Sequence, residues 1–553
     1  MWTGRHLEPP RCGPSSWEES NSTFYVRRST LPDAVACGIA TSREAERWFG
    51  CFFEGSDRLV PVFSSSDTFA SVRERSSLLF DVILTIGCKI HSGSGSLQYQ
   101  SMHRHLRQRV STHVLSSLTA HSVENVQALL VLACYWEKSW LFMDLALWMT
   151  QELKLPDAVE QMMTRMSGEG SNYLSASEDR ALFQMARVCC GVYVLDKIFS
   201  LDGGKAAGIA SSPSPRRLRC LLSHTAHSAI DFRLLSQVEL NSLRTNIHAS
   251  LTSHIQPPST TTTAPTPSTL AEHHITTMLR NARLDLSLWL GDWTALSQSA
   301  LANSSSTSTC VPTTANEHAL NILNLRIQHQ WALMNAHLKA LSALGITSNI
   351  AILSDRQRAI LLGAKSAAET HMRLLLTPLT AGVEQSHRVA HDRHFEGEAE
   401  EHEPSSSSAP YLSHFRWATT FVWAKLAFSV LLTLRLALLV GDPVGRLVEL
   451  GGEARRVARE LRRVVGDGGC GYFGILETSV EKFQMAVGAR VRGDADAARG
   501  RGPRGDDEGT QAEADFRTYL PKEFSFDWDF PGLNLQYIPL DWEELFGDFD
   551  EII

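Results

Sequence analysis

No two of the ten cysteines in this 553-residue chain are spaced as C-x-x-C, and only Cys189 and Cys190 are neighbours. That scatter argues against a disulfide framework and for buried free thiols in a reducing compartment. The chain also lacks any excess of positive charge: 52 basic and 60 acidic side chains leave a formal net charge of -8, which offers a polyanion no overall attraction. Met1 to Gly13 places charges and prolines where a secretory signal requires an apolar stretch, so no export sequence is expected. Strand-like alternation is almost absent and no repeat period stands out. There is no nucleophile elbow, Walker-type phosphate loop, H-E-x-x-H or serine-lysine pair, which disfavours an enzyme, although a site assembled from distant residues escapes such a scan. No cofactor or metal is expected.

Long apolar runs are also scarce. The one exception is Trp417 to Val440, 24 residues and long enough to span a bilayer. Lys425 and Arg435 lie inside it, and each costs about 2.5 to 3.5 kcal/mol at a membrane centre. The expectation is a buried core helix and no membrane contact.

What remains is helical. The clearest periodic segments are Ser76 to Lys89, Val123 to Tyr135, Trp140 to Leu153, Ser177 to Leu201, Ala271 to Leu290, Glu317 to Leu344, Asp355 to Leu376, Trp417 to Val440, Glu453 to Val465 and Ile475 to Val487. Ser122 and Ser354 stand as N-caps, and Pro156 and Pro378 are read as terminators of what precedes them. An all-α fold, a multi-helical array, follows. We expect an irregular arm over 1–42, a helical regulatory domain over 43–490, a flexible linker over 491–522 and a tail over 523–553. Low-complexity insertions fall near 253–270, 303–314 and 382–410, rich in Ser, Thr, Pro, His and Glu, and are expected to be disordered along with the tail.

Within that array, two stretches resemble the middle homology region of fungal zinc-cluster transcription factors. WFGCFFEGSDRLVPVF from Trp48, RSSLLFDVILTIG from Arg75 and SVENVQALLVLACYWEKSWLFMDLALWMTQELKL from Ser122 look like that family's opening helix and signature hairpin. YVLDKIFSLDGGK, Tyr193 to Lys205, resembles its Tyr-Asp-basic-Ser-Gly segment. The matches lie within 48–205. Asp144 stands where the family favours Gly and Thr150 where it favours Ala. Lys154, Pro156 and Asp157 replace its Gly-Leu-His-Arg ending, and Ala206 follows Lys205 in place of the common Pro. The resemblance implies the family's helical fold, a nuclear protein and an inhibitory or effector-responsive role for the helical body.

The family's DNA-binding module holds two zinc ions with six closely spaced cysteines. Only Cys12, Cys37 and Cys51 precede residue 80, and Arg5, Arg11, Arg27 and Arg28 are diluted by Glu8, Glu18 and Glu19. No direct DNA contact is therefore expected.

Read without the resemblance, Val126, Leu130 and Ala133 form one stripe and Trp140, Met143 and Leu147 another, so the two helices can pack as an antiparallel pair with Asp144 facing solvent or a loop. Other motifs have ordinary readings. Gly466, Gly468 and Gly471 spell G-x-G-x-x-G but follow an arginine-rich helix, not a strand, and read as a turn. His387, His391, His394, Glu396, Glu398 and His402 lie in a serine-bearing linker and read as a solvated loop; His103 and His105 are a weaker metal candidate still. Arg455, Arg456, Arg459, Arg462 and Arg463 read as a solvated face paired with Glu453 and Glu460, ahead of an import element or a phosphate-contacting face. Asp196 and Lys197, adjacent on the chain, are expected to project differently and to serve as a helix-end salt bridge or cap.

The most informative segment is the last one. From Asp515 onward ten acids face only Arg517 and Lys522, a net of -8 equal to that of the whole chain, and the acids are interleaved with aromatics. This acidic-hydrophobic alternation marks an amphipathic activation segment. Mutual repulsion of the carboxylates keeps the rings solvated, so Phe526, Trp528, Phe530, Trp542, Leu545, Phe546 and Phe549 are the candidate partner-binding anchors. Alternatively, Asp541 to Ile553 docks as an amphipathic helix on its own domain, with Trp542, Leu545, Phe546 and Phe549 on one face. The expected partners are a coactivator or mediator-type protein through the tail and a DNA-bound zinc-cluster protein. A non-transcriptional helical scaffold and a small-molecule sensor are the other classes the sequence allows.

Overall fold

The computed structural model describes residues 32–64, 66–111, 121–136, 139–168, 175–209, 215–252, 269–305, 312–344, 353–378, 410–465 and 471–498. Among them are sixteen α-helices and no strand. The first eight are α1 (Ser42–Phe53), α2 (Phe69–Arg75), α3 (Ser77–Ser92), α4 (Leu97–Arg109), α5 (Val123–Tyr135), α6 (Ser139–Glu152), α7 (Leu155–Met166) and α8 (Ala176–Leu201). The rest are α9 (Ala229–Thr252), α10 (Thr269–Ser305), α11 (Pro312–Ala343), α12 (Asp355–Leu375), α13 (Pro410–Ser413), α14 (Thr420–Val440), α15 (Val444–Val465) and α16 (Gly471–Ala498).

The helix starts are written in short polar side chains. Ser122 accepts from the Asn125 N–H, and Ser354 closes a reciprocal capping box with Gln357, both as expected. Thr41 with Glu44 and Ser175 with Glu178 build two more. Pro156 acts differently from its reading. Lys154 turns left-handed at φ 53° and ends α6, and the proline then opens α7 from its first turn. There its missing N–H costs nothing, because that donor would be unsatisfied anyway.

Packing runs largely between neighbours in sequence. α3 is held by α1, α4 and α5; α8 by α5, α6 and α7; α11 by α9, α10 and α12; and α14 by α12, α15 and α16. The buried side chains of all these layers form one contiguous core. The turn before α14 is tied back to the early helices. There the Trp417 indole N–H donates to the Cys51 carbonyl at 2.9 Å, and the Tyr135 hydroxyl to the Trp417 carbonyl at 2.6 Å.

The α5–α6 hairpin forms, with one exchange of roles. Val126, Leu130, Ala133 and Met143 are buried, but Trp140 is half exposed, its ring covered on one side by the Lys205 ammonium. Phe142, Ala146 and Met149 fill the interior instead. Asp144 is exposed, as expected. α14 is the expected core helix: 78% of its apolar window is buried inside the body. The seven described cysteines are free thiols, and burial drives the Cys189 thiol up to about 12.

Candidate functional site

Charges buried beside the α8–α9–α11–α14 junction mark the site. Asp202 caps the C-terminal end of α8 and is only 1% exposed. Its carboxylate takes the Lys425 ammonium of α14 at 2.6 Å, the Arg244 guanidinium of α9, and the Trp331 indole N–H of α11 at 3.3 Å. Arg244 also donates to the Asn241 side chain at 3.1 Å. Burial alone would raise the Asp202 carboxyl, but Arg244 and Lys425 outweigh it and hold the group below its usual range. Lys425 is lowered by burial, against the pull of Asp202, and lies over the Trp331 and Phe421 rings at 5.2 and 5.7 Å.

These groups border a cavity of about 70 Å³. α9 supplies Arg233, Leu240, Asn241 and Arg244 from one helical face, α11 supplies Trp331, and α12 supplies His371. α13 and the following 3-10 turn (His414–Trp417) close one end with Tyr411 and Phe415, while α14 contributes Phe421, Val422 and Lys425. A second cavity of about 30 Å³ adjoins it, sharing Arg233, Tyr411 and Phe415 and adding Arg58 and His414.

Neither lining contains a carboxylate. Arg233 is half-buried. One of its terminal nitrogens donates to the Asn324 side chain at 3.1 Å, and its Nε is buried without a partner. Asp57 acts on it only through space, beyond ion-pair distance, and burial raises that carboxyl to about 6. His371, 4% exposed, has an Nδ1 with no hydrogen-bond partner, and burial lowers the imidazole to about 4. The arrangement offers one guanidinium without a carboxylate in contact, one neutral imidazole with open hydrogen-bonding capacity, and aromatic walls. That is a binding geometry; no nucleophile–base pair lines it.

Elsewhere the motifs have structural roles. Asp196 accepts from the Gly208 and Ile209 N–H groups at 2.8 and 3.2 Å, and Lys197 donates to the Ile209 carbonyl. Although adjacent on the helix, the two meet at 3.4 Å, the expected salt bridge near the end of α8, and together they clamp the loop that follows. His105 contacts Asp81 at 3.1 Å and His103 stacks on Trp136. Among the described residues no cluster of His, Cys, Asp and Glu has metal-binding geometry. Arg455, Arg456, Arg459, Arg462 and Arg463 of α15 are exposed, and Arg463 pairs with Glu460 at 2.8 Å, whereas Glu453 pairs with Arg373 of α12.

The tail anchors Phe526, Trp528, Phe530, Trp542, Leu545, Phe546 and Phe549 lie outside the described residues, as do His387, His391, His394, His402, Gly466 and Gly468. Sequence reasoning passed over the cavity, since its residues come from six helices. One signal was present: a lysine inside a 24-residue apolar run, such as Lys425, requires a buried acid to meet it. Comparison with protein-family models, with curated proteins and with solved structures finds no match to the chain.

Proposed function

We propose that the chain is a transcription regulator of the fungal-specific type that recruits a coactivator through its acidic-aromatic tail. The observation that carries this reading is the tail itself: ten acids and two bases from Asp515 onward, with Trp528, Trp542 and Phe546 set among the acids. The resemblance of 48–205 to the middle homology region supports it, and nuclear residence is part of the same reading. With no six-cysteine cluster in its sequence, the chain reaches DNA through a DNA-bound zinc-cluster partner. The helical body holds the effector-responsive role, and a cavity bordered by buried charge is the kind of feature such a role requires.

The test fuses residues 515–553 to a foreign DNA-binding domain and reads a reporter. Activation that falls at least tenfold when Trp528, Trp542 and Phe546 are changed to Ala supports the reading. Activation that survives all three changes removes the aromatic anchors, and a silent wild-type tail favours the non-transcriptional scaffold.

A further inference from the structure

We propose that the cavity between α9, α11, α12 and α14 binds a small organic carboxylate with an apolar or single-ring body, seated with its charge on Arg233 and its body against Trp331, Phe421 and Phe415. This supplies an effector for the regulatory role above.

Charge argues for an anion. Of the three cations lining the cavity, Arg244 and Lys425 share one carboxylate, Asp202, which stands behind them. Arg233 has no carboxylate in contact. Leaving a charge unpaired in a desolvated setting is costly, and a guanidinium fork matches a carboxylate with two parallel hydrogen bonds. Arg233 and Arg244 are three turns apart on α9, roughly 16 Å along the axis. The positive charge therefore sits at both ends, and among the described residues no acid is in contact with the Arg233 end, which Asp57 reaches only through space.

Size and lining define the rest. One water requires roughly 10 to 15 Å³ of such space, so a cavity of about 70 Å³ holds about five, or roughly 150 Å³ of liquid volume. That suits a benzoate-sized acid and is too small for a nucleotide or a long acyl chain. Between the charges the walls set Leu240, Ile327, Trp331, Phe415 and Phe421 beside the amides of Gln237 and Gln328, a lining that suits an apolar body carrying one polar group.

The test measures binding of benzoate, phenylacetate and hexanoate to the full chain by calorimetry, each against its own uncharged amide. At least one acid is expected to bind ten times more tightly than its amide. Arg233→Gln retains a donor for Asn324 and strands no ion-pair partner, so the variant should fold. It should weaken the acid at least tenfold and leave the amide unchanged. The proposal is overturned if no acid exceeds its amide, or if the folded Arg233→Gln protein binds the acid as tightly as wild type. Because the readout is direct binding, failure here leaves the reporter test of the tail standing, and failure there leaves this one standing.

Discussion

Asp202, at the end of α8, ties four helices together, since α9, α11 and α14 each direct a polar group at it. Asp202→Asn removes the charge and leaves Arg244 and Lys425 buried with nothing to neutralise them. A loss of about 3 to 5 kcal/mol is expected in urea unfolding, the range seen when one member of a buried pair is removed. The double variant with Lys425→Met should recover part of it, because one stranded cation is gone. Histidine sets the pH response. His371 and His337 are each 4% exposed, and burial lowers both to about 4 against an ordinary 6.5. Between those values the unfolded chain takes up protons that the folded chain refuses. Their contribution is therefore intact above pH 6.5 and is lost as pH falls toward 4. His371→Asn should make the fall between pH 6 and 5 shallower by about 1 kcal/mol per pH unit. An unchanged slope would show that the imidazole titrates normally in the fold.

At the level of elements, the long periodic helices were legible, and the short or polar ones were not. α5, α8, α12 and the core helix α14 lie within three residues of their expected bounds, because their caps and apolar spacing agree. α4 and α9 were missed. α9 alternates Arg, Asn, Ser and Glu with its apolar residues; Arg233, Glu239 and Arg244 pair with other elements and Ser236 and Asn241 bond within the helix, whereas a periodicity count scores all of them as solvent-facing. The same blindness hid the cavity, five of whose residues ride on α9. Helix approach leaves a clearer mark in glycine. A Cβ on Gly87 of α3 would stand 1.9 Å from the Trp48 carbonyl oxygen of α1, so Gly87→Ala must push the helices apart. A cost of about 1 to 3 kcal/mol or more is expected in thermal or urea melts. Gly50→Ala on α1 meets no atom within 4 Å, and should stabilise by about 0.5 to 1 kcal/mol through helix propensity alone.

On the scale of the whole molecule, charge divides the chain. The last 39 residues hold a net of -8, and everything before them sums to neutrality. A neutral body can bury its few charges in pairs, as α8, α9 and α14 do. In the proposed function, repulsion among the like charges of the tail leaves its rings to a partner. The body would hold a helical frame with a small cavity, and the tail would present the aromatic anchors. The most direct measurement joins them: reporter output from the full chain fused to a foreign DNA-binding domain, with and without Trp528, Trp542 and Phe546 changed to Ala, alongside a thermal melt of each protein. The account predicts output at least tenfold lower in the triple variant with the melting midpoint unmoved. Equal output, or a midpoint that drops with the output because the rings are part of the body's core, would contradict it.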